Sequence, residues 1–415
     1  MTAGTCANRY DDGVHFYGLS SQPGAVCQMS CPDNLAPCLP LPPAELLLPL
    51  SSASASLTSL LEELPSLLSA TKKVDTSLGA GLEACAQLLE GTGGRLIVFQ
   101  HTLPALPPLE LSPRDDTRHY GTEKERHLLE PADERWEAFA KRLCAAQICV
   151  SSFHFALGTY VDMASQARRP DDFPSPEPCL GPSARPDHGL GPMPSEPSQA
   201  MLARATGGQV YLYPNCVPEK ADVWGTRLQA ELSRNLSRNF GYEGVMRFRC
   251  SKGLCVDEYL MGYPKPGEND VDVPGIDADS AFAVTMRHDE KLAENAQACV
   301  QCALLYTTSA GERRIRVLTY ALTTTTLMTS LYRYADLDAL LNVMMRKAIR
   351  ETSRRNMHHV REGVVNSCVD MLCTYRKHCA SSTAPGQLIL PESLKLLPLY
   401  TLSLNKTGLL RAGDP

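Results

Sequence analysis

The hydrophobic period of this chain changes twice along its length, and those two changes constrain its architecture more than any other feature. Up to about Asn239, compact apolar runs alternate with stretches that are apolar at helical intervals. Val14 to Leu19 reads as a strand, followed by a proline-rich loop from Cys31 to Pro49. Leu57, Leu60, Leu61, Leu64, Leu67 and Leu68 then mark one helix, and Leu78 to Glu90 a second. Arg95 to Phe99 and Ile148 to Phe155 are β-rich runs of the kind buried in parallel sheets, separated by a charged helical stretch from Glu123 to Ala146. This alternation implies an α/β layer architecture with right-handed crossovers. After a helix from Trp224 to about Asn239 the period shortens. Val245–Cys250, Leu254–Leu260, Val271–Ile276, Phe282–Arg287, Cys299–Thr308 and Ile315–Leu322 read as short strands, the pattern of a β-sandwich or barrel. From Leu327 onward the helical period returns, with one stripe at Leu337, Leu340, Leu341, Met344 and Met345 and another at Val364, Val365, Cys368, Met371 and Leu372.

The fold class expected is therefore multidomain, α/β then β then α. The boundaries fall at 1–240, 241–323 and 324–415, the last unit being incomplete. Within the first unit, Arg168 to Ser198 is dominated by proline, glycine and acidic residues and predicts a disordered surface insertion. A chain of 415 residues is long enough for two or three cores. Its formal net charge of -6 offers no bulk attraction for nucleic acid or anionic lipid, so no nucleic-acid partner is expected. Neither a secretory signal nor an apolar stretch near the roughly 20 residues of a membrane span is present, which predicts a cytosolic chain. The 16 cysteines are scattered, many in apolar surroundings, a pattern of reduced thiols rather than a disulfide framework.

Candidate chemical sites are few. Cys299-Val300-Gln301-Cys302 has the spacing of half a zinc site, but a structural zinc needs four ligands and no second pair of this spacing occurs. Cys27, Cys31 and Cys38 lie in the proline-rich loop and read as free thiols. No metal site is expected. Gly91-Thr92-Gly93-Gly94 and Thr206-Gly207-Gly208 lack the Lys-Ser or Lys-Thr ending of a phosphate loop and precede strands, so they read as helix-to-strand turns. With no Gly-x-Ser-x-Gly elbow and no histidine grouped with a nucleophile, no catalytic residue is assigned and no enzyme is expected. Arg287-His288-Asp289-Glu290-Lys291 closes a strand with both charge signs; it reads as an exposed turn, or as a pair of carboxylates that receives a basic signal.

Several ordered blocks resemble one family. Gly386-Gln387-Leu388-Ile389-Leu390-Pro391-Glu392-Ser393-Leu394-Lys395-Leu396-Leu397-Pro398 closely resembles a segment of the helical domain in the cargo-adaptor subunit of the inner COPII coat. His15-Phe16-Tyr17, Leu96–Phe99, Arg114-Asp115-Asp116, Thr122–Glu125, Thr206–Pro214, Gly275–Asp279, Gln301–Thr307 and Thr374–Ala380 are similar to further blocks of that family, in order. The GTPase-activating sister subunit shares the architecture but not the Gly-Gln-Leu-Ile-Leu-Pro-Glu block.

The resemblance implies a partial von Willebrand A-like trunk, a β-sandwich and a helical domain. Against the family pattern, the chain is expected to begin at the second trunk strand, without the zinc-ribbon domain and first barrel strands, and to stop before the gelsolin-like module. No cofactor is thus implied in this chain. The implied function is selection of cargo for transport from the endoplasmic reticulum to the Golgi. Implied partners are the sister coat subunit in a heterodimer, cytosolic tails of membrane cargo and SNAREs, the small coat GTPase indirectly, and the endoplasmic reticulum membrane peripherally. The implied location is cytoplasmic, on that membrane and on COPII vesicles. Asp289 and Glu290 resemble the family's acidic cargo-receiving pair, and Leu388, Ile389 and Leu390 its apolar triplet; burial in a core is the competing role for the triplet. The alternatives are a truncated family member retaining only partner binding, and the GTPase-activating sister subunit.

Overall fold

The structure is a computed structural model that describes residues 4–19, 27–114, 118, 122, 124, 133–156, 201–214, 216–217, 219, 221–263, 270–294, 296–352, 354–382, 384, 386–387, 389–407 and 410. The proline-rich segment 168–198 and the block 115–116 lie outside those residues.

Near the start of the chain a short ladder, β1 (Gly4–Thr5), anticipates a pairing with β5 (Leu48–Pro49). Between them β2 (Ala7–Tyr10), β3 (Val14–Gly18) and β4 (Cys27–Cys31) form an antiparallel meander. Alternation decides which face of β3 turns inward: Val14 and Phe16 are fully buried, while His15 between them reaches Asp11 at 2.7 Å and Ser30 at 2.7 Å. The strand at Val14 therefore does not join a parallel sheet, as the alternating pattern implied. Its neighbours are two strands that carry little signal: Ala7–Tyr10 has no apolar alternation, and Cys27–Cys31 is short and mostly exposed. The loop expected after Cys31 also contains a short helix, α1 (Pro43–Leu46).

The parallel sheet consists of β6 (Gly94–Gln100), β7 (Ile148–Ala156) and β8 (Val210–Pro214), with β7 central. β7 is buried continuously from Ile148 to His154, since both of its faces are covered. α2 (Leu50–Leu68), α3 (Leu78–Leu89), α4 (Arg135–Ala145), α5 (Met201–Thr206) and α6 (Ala221–Ser237) complete this part. Leu78 and Leu82 of α3, Trp136 and Leu143 of α4, and Ile148 and Val150 of β7 share one core. Of the helical stretch expected from Glu123, the ordered helix is Arg135–Ala145, and residues 125–132 lie outside the described set.

β9 (Phe240–Cys250), β10 (Leu254–Leu260), β11 (Asp270–Asp277), β12 (Ala283–His288), β13 (Gln297–Thr308) and β14 (Arg313–Thr323) match the six short apolar runs. They form a sheet in the order β11-β9-β13-β14 and a pair β10-β12. Met246, Phe248, Met261, Val271 and Val273 fill the space between. β14 lies at the sheet edge and is exposed along its whole length.

The final part contains α7 (Met328–Arg333), α8 (Leu337–Glu351), α9 (Met357–Cys379) and α10 (Leu397–Lys406). α8 starts where the Asp336 carboxylate accepts a hydrogen bond from the Ala339 N–H at 2.9 Å, and α9 where Asn356 accepts from His358 N–H at 3.0 Å. Met344, Ala348, Val364, Cys368, Leu394 and Leu397 make the core. Two residues of the expected stripes leave it: Met345 turns to a cleft against the sandwich, and Val365 is exposed.

The three parts are tied by polar side chains. Arg238, at the end of α6, meets Asp277 of β11 at 3.0 Å with both side chains buried. Beside this pair, the Arg95 guanidinium donates to the Asn235 carbonyl at 2.9 Å, the Asn235 amide to the Tyr211 hydroxyl at 3.2 Å, and Gln209 to the Asp277 carboxylate at 3.3 Å. Arg346 of α8 donates to the Ala281 carbonyl at 2.8 Å, and Arg350 pairs with Glu258 of β10.

Candidate functional site

β12 ends at His288, opposite Leu254 of β10, so the next two residues fall in a turn facing the Ser251-Lys252-Gly253 turn. The Asp289 N–H donates to the Gly253 carbonyl at 3.0 Å, which fixes the backbone under both carboxylates. Gly253 has φ +92°, and a Cβ there would lie 2.5 Å from Leu292 Cδ2, so this support admits only glycine without rearrangement. Asp289 and Glu290 are both exposed. Glu290 is 3.4 Å from Lys252 Nζ, whereas Asp289 has no ion-pair partner among the described residues. The turn thus presents one unpaired carboxylate and one loosely paired with a lysine that is 85% exposed. An incoming lysine or arginine finds charge-assisted acceptors there without displacing any buried group.

The apolar triplet is split. Leu388 lies outside the described residues; Ile389 is 38% exposed and Leu390 half-buried. The core positions of this block come later, at Leu394 (2%) and Leu397 (0%), which pack with α8 and α9. A 3-10 turn over Glu392–Leu394 orients them, and the Ser393 hydroxyl donates to the Tyr332 carbonyl. Burial therefore accounts for Leu394 and Leu397 of the block and not for Ile389 or Leu396, the latter 48% exposed. No hydrogen bond, ion pair or shared core among the described residues joins Ile389 and Leu390 to the acidic turn.

Other clusters are accounted for locally. Cys299 and Cys302 lie three residues apart in β13, so their side chains leave opposite faces of the sheet and cannot ligate one ion together. Cys31 and Cys38 bring their sulfurs to 3.7 Å as free thiols. Asp11, Asp12 and His15 form a compact group, but Asp11 already bridges Arg9 at 3.0 Å and His15 at 2.7 Å, and Asp12 pairs with Lys73. Gly93 and Gly207 take positive φ between helix and strand, as expected of turns.

A cleft that the sequence reading missed opens where the three parts meet. It has a volume of about 700 Å³ and is lined by Arg204 and Gly207–Val210 from the first part, Leu260–Tyr263, Asp277 and Ser280–Phe282 from the sandwich, and Met345, Arg346 and Ile349 from α8. No local motif announces it, because its lining converges from segments up to 145 residues apart. The one available signal is Met345, an apolar residue beyond the face that the helical core needs.

Models of the Sec23/Sec24 trunk domain, the Sec23/Sec24 beta-sandwich domain and the Sec23/Sec24 helical domain match residues 6–170, 241–325 and 336–415. Protein transport protein SEC24 B of Arabidopsis thaliana is 38% identical over 401 residues, which cover 96% of this chain and 33% of that protein. Protein transport protein Sec24C of Homo sapiens is 31% identical over 410 residues, covering 97% of this chain and 34% of that protein. The crystal structure of the human COPII-coat protein Sec24c superposes with a TM-score of 0.82 at 30% identity, covering 98% of this chain and 48% of that one. The chain spans about a third of the length of the curated relatives it matches. With the trunk, sandwich and helical domains present in that order, and Sec24 proteins similar over nearly all of it, the chain belongs to the Sec23/Sec24 family, on its Sec24 side.

Proposed function

We propose that this chain is a non-enzymatic cargo adaptor of the COPII coat. It acts as a heterodimer with the sister coat subunit, peripherally at the endoplasmic reticulum membrane, and selects membrane proteins by their cytosolic tails. Residues 1–240, 241–323 and 324–415 serve as its trunk, sandwich and helical units. Basic tail signals with apolar neighbours dock on Asp289 and Glu290, and Ile389 with Leu388 and Leu390 offers a separate apolar contact. The observation that carries this reading is the acidic turn: Asp289 is exposed, held by its backbone to Gly253 and unpaired among the described residues. Each such contact is weak in water, and repetition across a polymerising coat multiplies it through avidity.

Partner binding alone is the second reading, favoured by β14, which exposes Ile315, Val317, Leu318 and Tyr320 along an unpaired edge. A pulldown of purified sister subunit and of immobilised basic-apolar tail peptides separates the two. The adaptor reading expects both to be retained, with peptide capture lost in Asp289→Ala/Glu290→Ala. Retention of the subunit with no capture of any tail peptide leaves partner binding as the function. A soluble, folded chain that retains neither rules out both.

A further inference from the structure

Two thiols of the first part stand apart from the scattered cysteines. Cys31, the last residue of β4, is buried, and Cys38, seven positions further along the proline-rich loop, is exposed, yet their sulfurs lie 3.7 Å apart. No other two thiols among the described residues come into hydrogen-bond contact. Cys27, at the opposite end of β4, is four strand residues from Cys31 and hence about 13 Å away, too far to compete for either sulfur.

Hydrogen bonds in the intervening loop hold this approach in place. The Asp33 carboxylate accepts from the Leu35 N–H at 3.0 Å and from the Ala36 N–H at 3.2 Å, which turns the chain back toward β4. The Asn34 amide donates to the Asp12 carbonyl at 3.0 Å, anchoring the turn on the β2–β3 connection. The Cys38 N–H then donates to the Cys31 sulfur at 3.5 Å. Bonding the sulfurs asks them to close from 3.7 Å to the roughly 2.0 Å of a disulfide. Just beyond Cys38, Leu39 and Leu41 pack against the core of Val14, Phe16 and Leu46. A covalent link at this point therefore fastens a packed segment to β4, an exposed strand held in its sheet by β3 alone.

We propose that Cys31 and Cys38 are a reversible dithiol–disulfide site, oxidised by a small-molecule disulfide such as glutathione disulfide, and that the bond clamps the proline-rich loop to the edge of the sheet. Exposure sets the order of the steps. The Cys38 thiolate attacks one sulfur of the small disulfide, breaks its S–S bond and releases one thiolate, leaving a mixed disulfide on Cys38. The Cys31 thiolate next attacks the Cys38 sulfur, forms the Cys31–Cys38 bond and expels the second thiolate. The protons lost by the two protein thiols end on the two released thiolates. The protein gives up two electrons, and the small disulfide is reduced to two thiols. Excess dithiol runs the sequence backwards, so the site reports the redox poise around it.

The test equilibrates the full, reduced chain in glutathione buffers of increasing disulfide fraction, blocks the remaining thiols by alkylation and maps every cysteine by mass spectrometry. A Cys31–Cys38 disulfide should form at a glutathione disulfide fraction at least about tenfold lower than any other protein disulfide needs, and dithiothreitol should reverse it. In the oxidised chain amide exchange over residues 32–41 should slow by at least about tenfold, because closing the loop covalently removes open conformations. Cys31→Ser, which takes away the resolving thiol, should stop at a stable glutathione adduct on Cys38. Should that variant fail to fold, Cys38→Ser, altered at an exposed position, carries the test: it should form no disulfide at Cys31 and no glutathione adduct there. Separate glutathione adducts on Cys31 and Cys38 of the native chain overturn the proposal, as does the absence of the disulfide in fully oxidised buffer. A disulfide that leaves exchange over residues 32–41 unchanged overturns the clamp.

Discussion

At Arg238 a cation leaves water almost completely and pairs with Asp277 at 3.0 Å and with Asp279 at 3.5 Å. The two side chains are 9% and 2% exposed, so removing Arg238 leaves the Asp277 carboxylate buried with hydrogen bonds from Gln209, Ser280 and the Asp279 N–H but without its buried counter-charge. Arg238→Ala should cost about 3–5 kcal/mol in a urea titration, whereas Arg314→Ala, at a pair exposed on both sides, should leave the urea midpoint where it is. His154 makes a separate prediction. Burial in β7 pulls its pKa down from 6.5 to about 4, while Nε2 lies 2.9 Å from the Ser152 hydroxyl. Below pH 6.5 the unfolded chain takes up a proton that the folded chain refuses. Stability should therefore fall as pH drops from about 6.5 to about 4, by ~3 kcal/mol in total, and level off below. Thermal midpoints across this window should show the decline in the native chain and a flatter profile in His154→Leu.

Among the elements, β14 carries the clearest liability. Ile315 and Val317 on one face and Leu318 and Tyr320 on the other are all more than half exposed, beside an unpaired row of backbone groups. Such an edge pairs with whatever strand it meets. Val317→Lys/Leu318→Lys should reduce self-association in light scattering while changing unfolding free energy by no more than about 0.5 kcal/mol per site. β14 was legible because Arg-Ile-Arg-Val-Leu-Thr-Tyr is β-branched and aromatic, with turn residues before it. β2 and β4 were not, because Ala7-Asn8-Arg9-Tyr10 lacks apolar alternation and Cys27–Cys31, though alternating, is short and sits in a stretch rich in proline and polar residues; both are strands by pairing with β3. The helices of the last domain followed their stripes, except where Met345 serves the cleft and Val365 faces water. Within the candidate site, the turn at Asp289 could be read from charge and the end of a strand. That Asp289 is unpaired while Glu290 meets Lys252 depends on the facing turn, which local pattern does not encode.

For the whole molecule, the order α/β, β, α was legible because each domain has its own hydrophobic period. The junctions between domains were not, since Arg95, Asn235, Gln209 and Asp277 are polar residues whose meeting requires the assembled fold. Reception of basic signals by the acidic turn, as proposed, is read from the dissociation constant of a basic-apolar tail peptide for the native chain and for Asp289→Ala/Glu290→Ala. Both side chains are exposed, so the variant should keep the native thermal midpoint. Binding should be about tenfold weaker in the variant, with the difference shrinking as salt is raised. Equal affinity of the two folded proteins at low salt would contradict it.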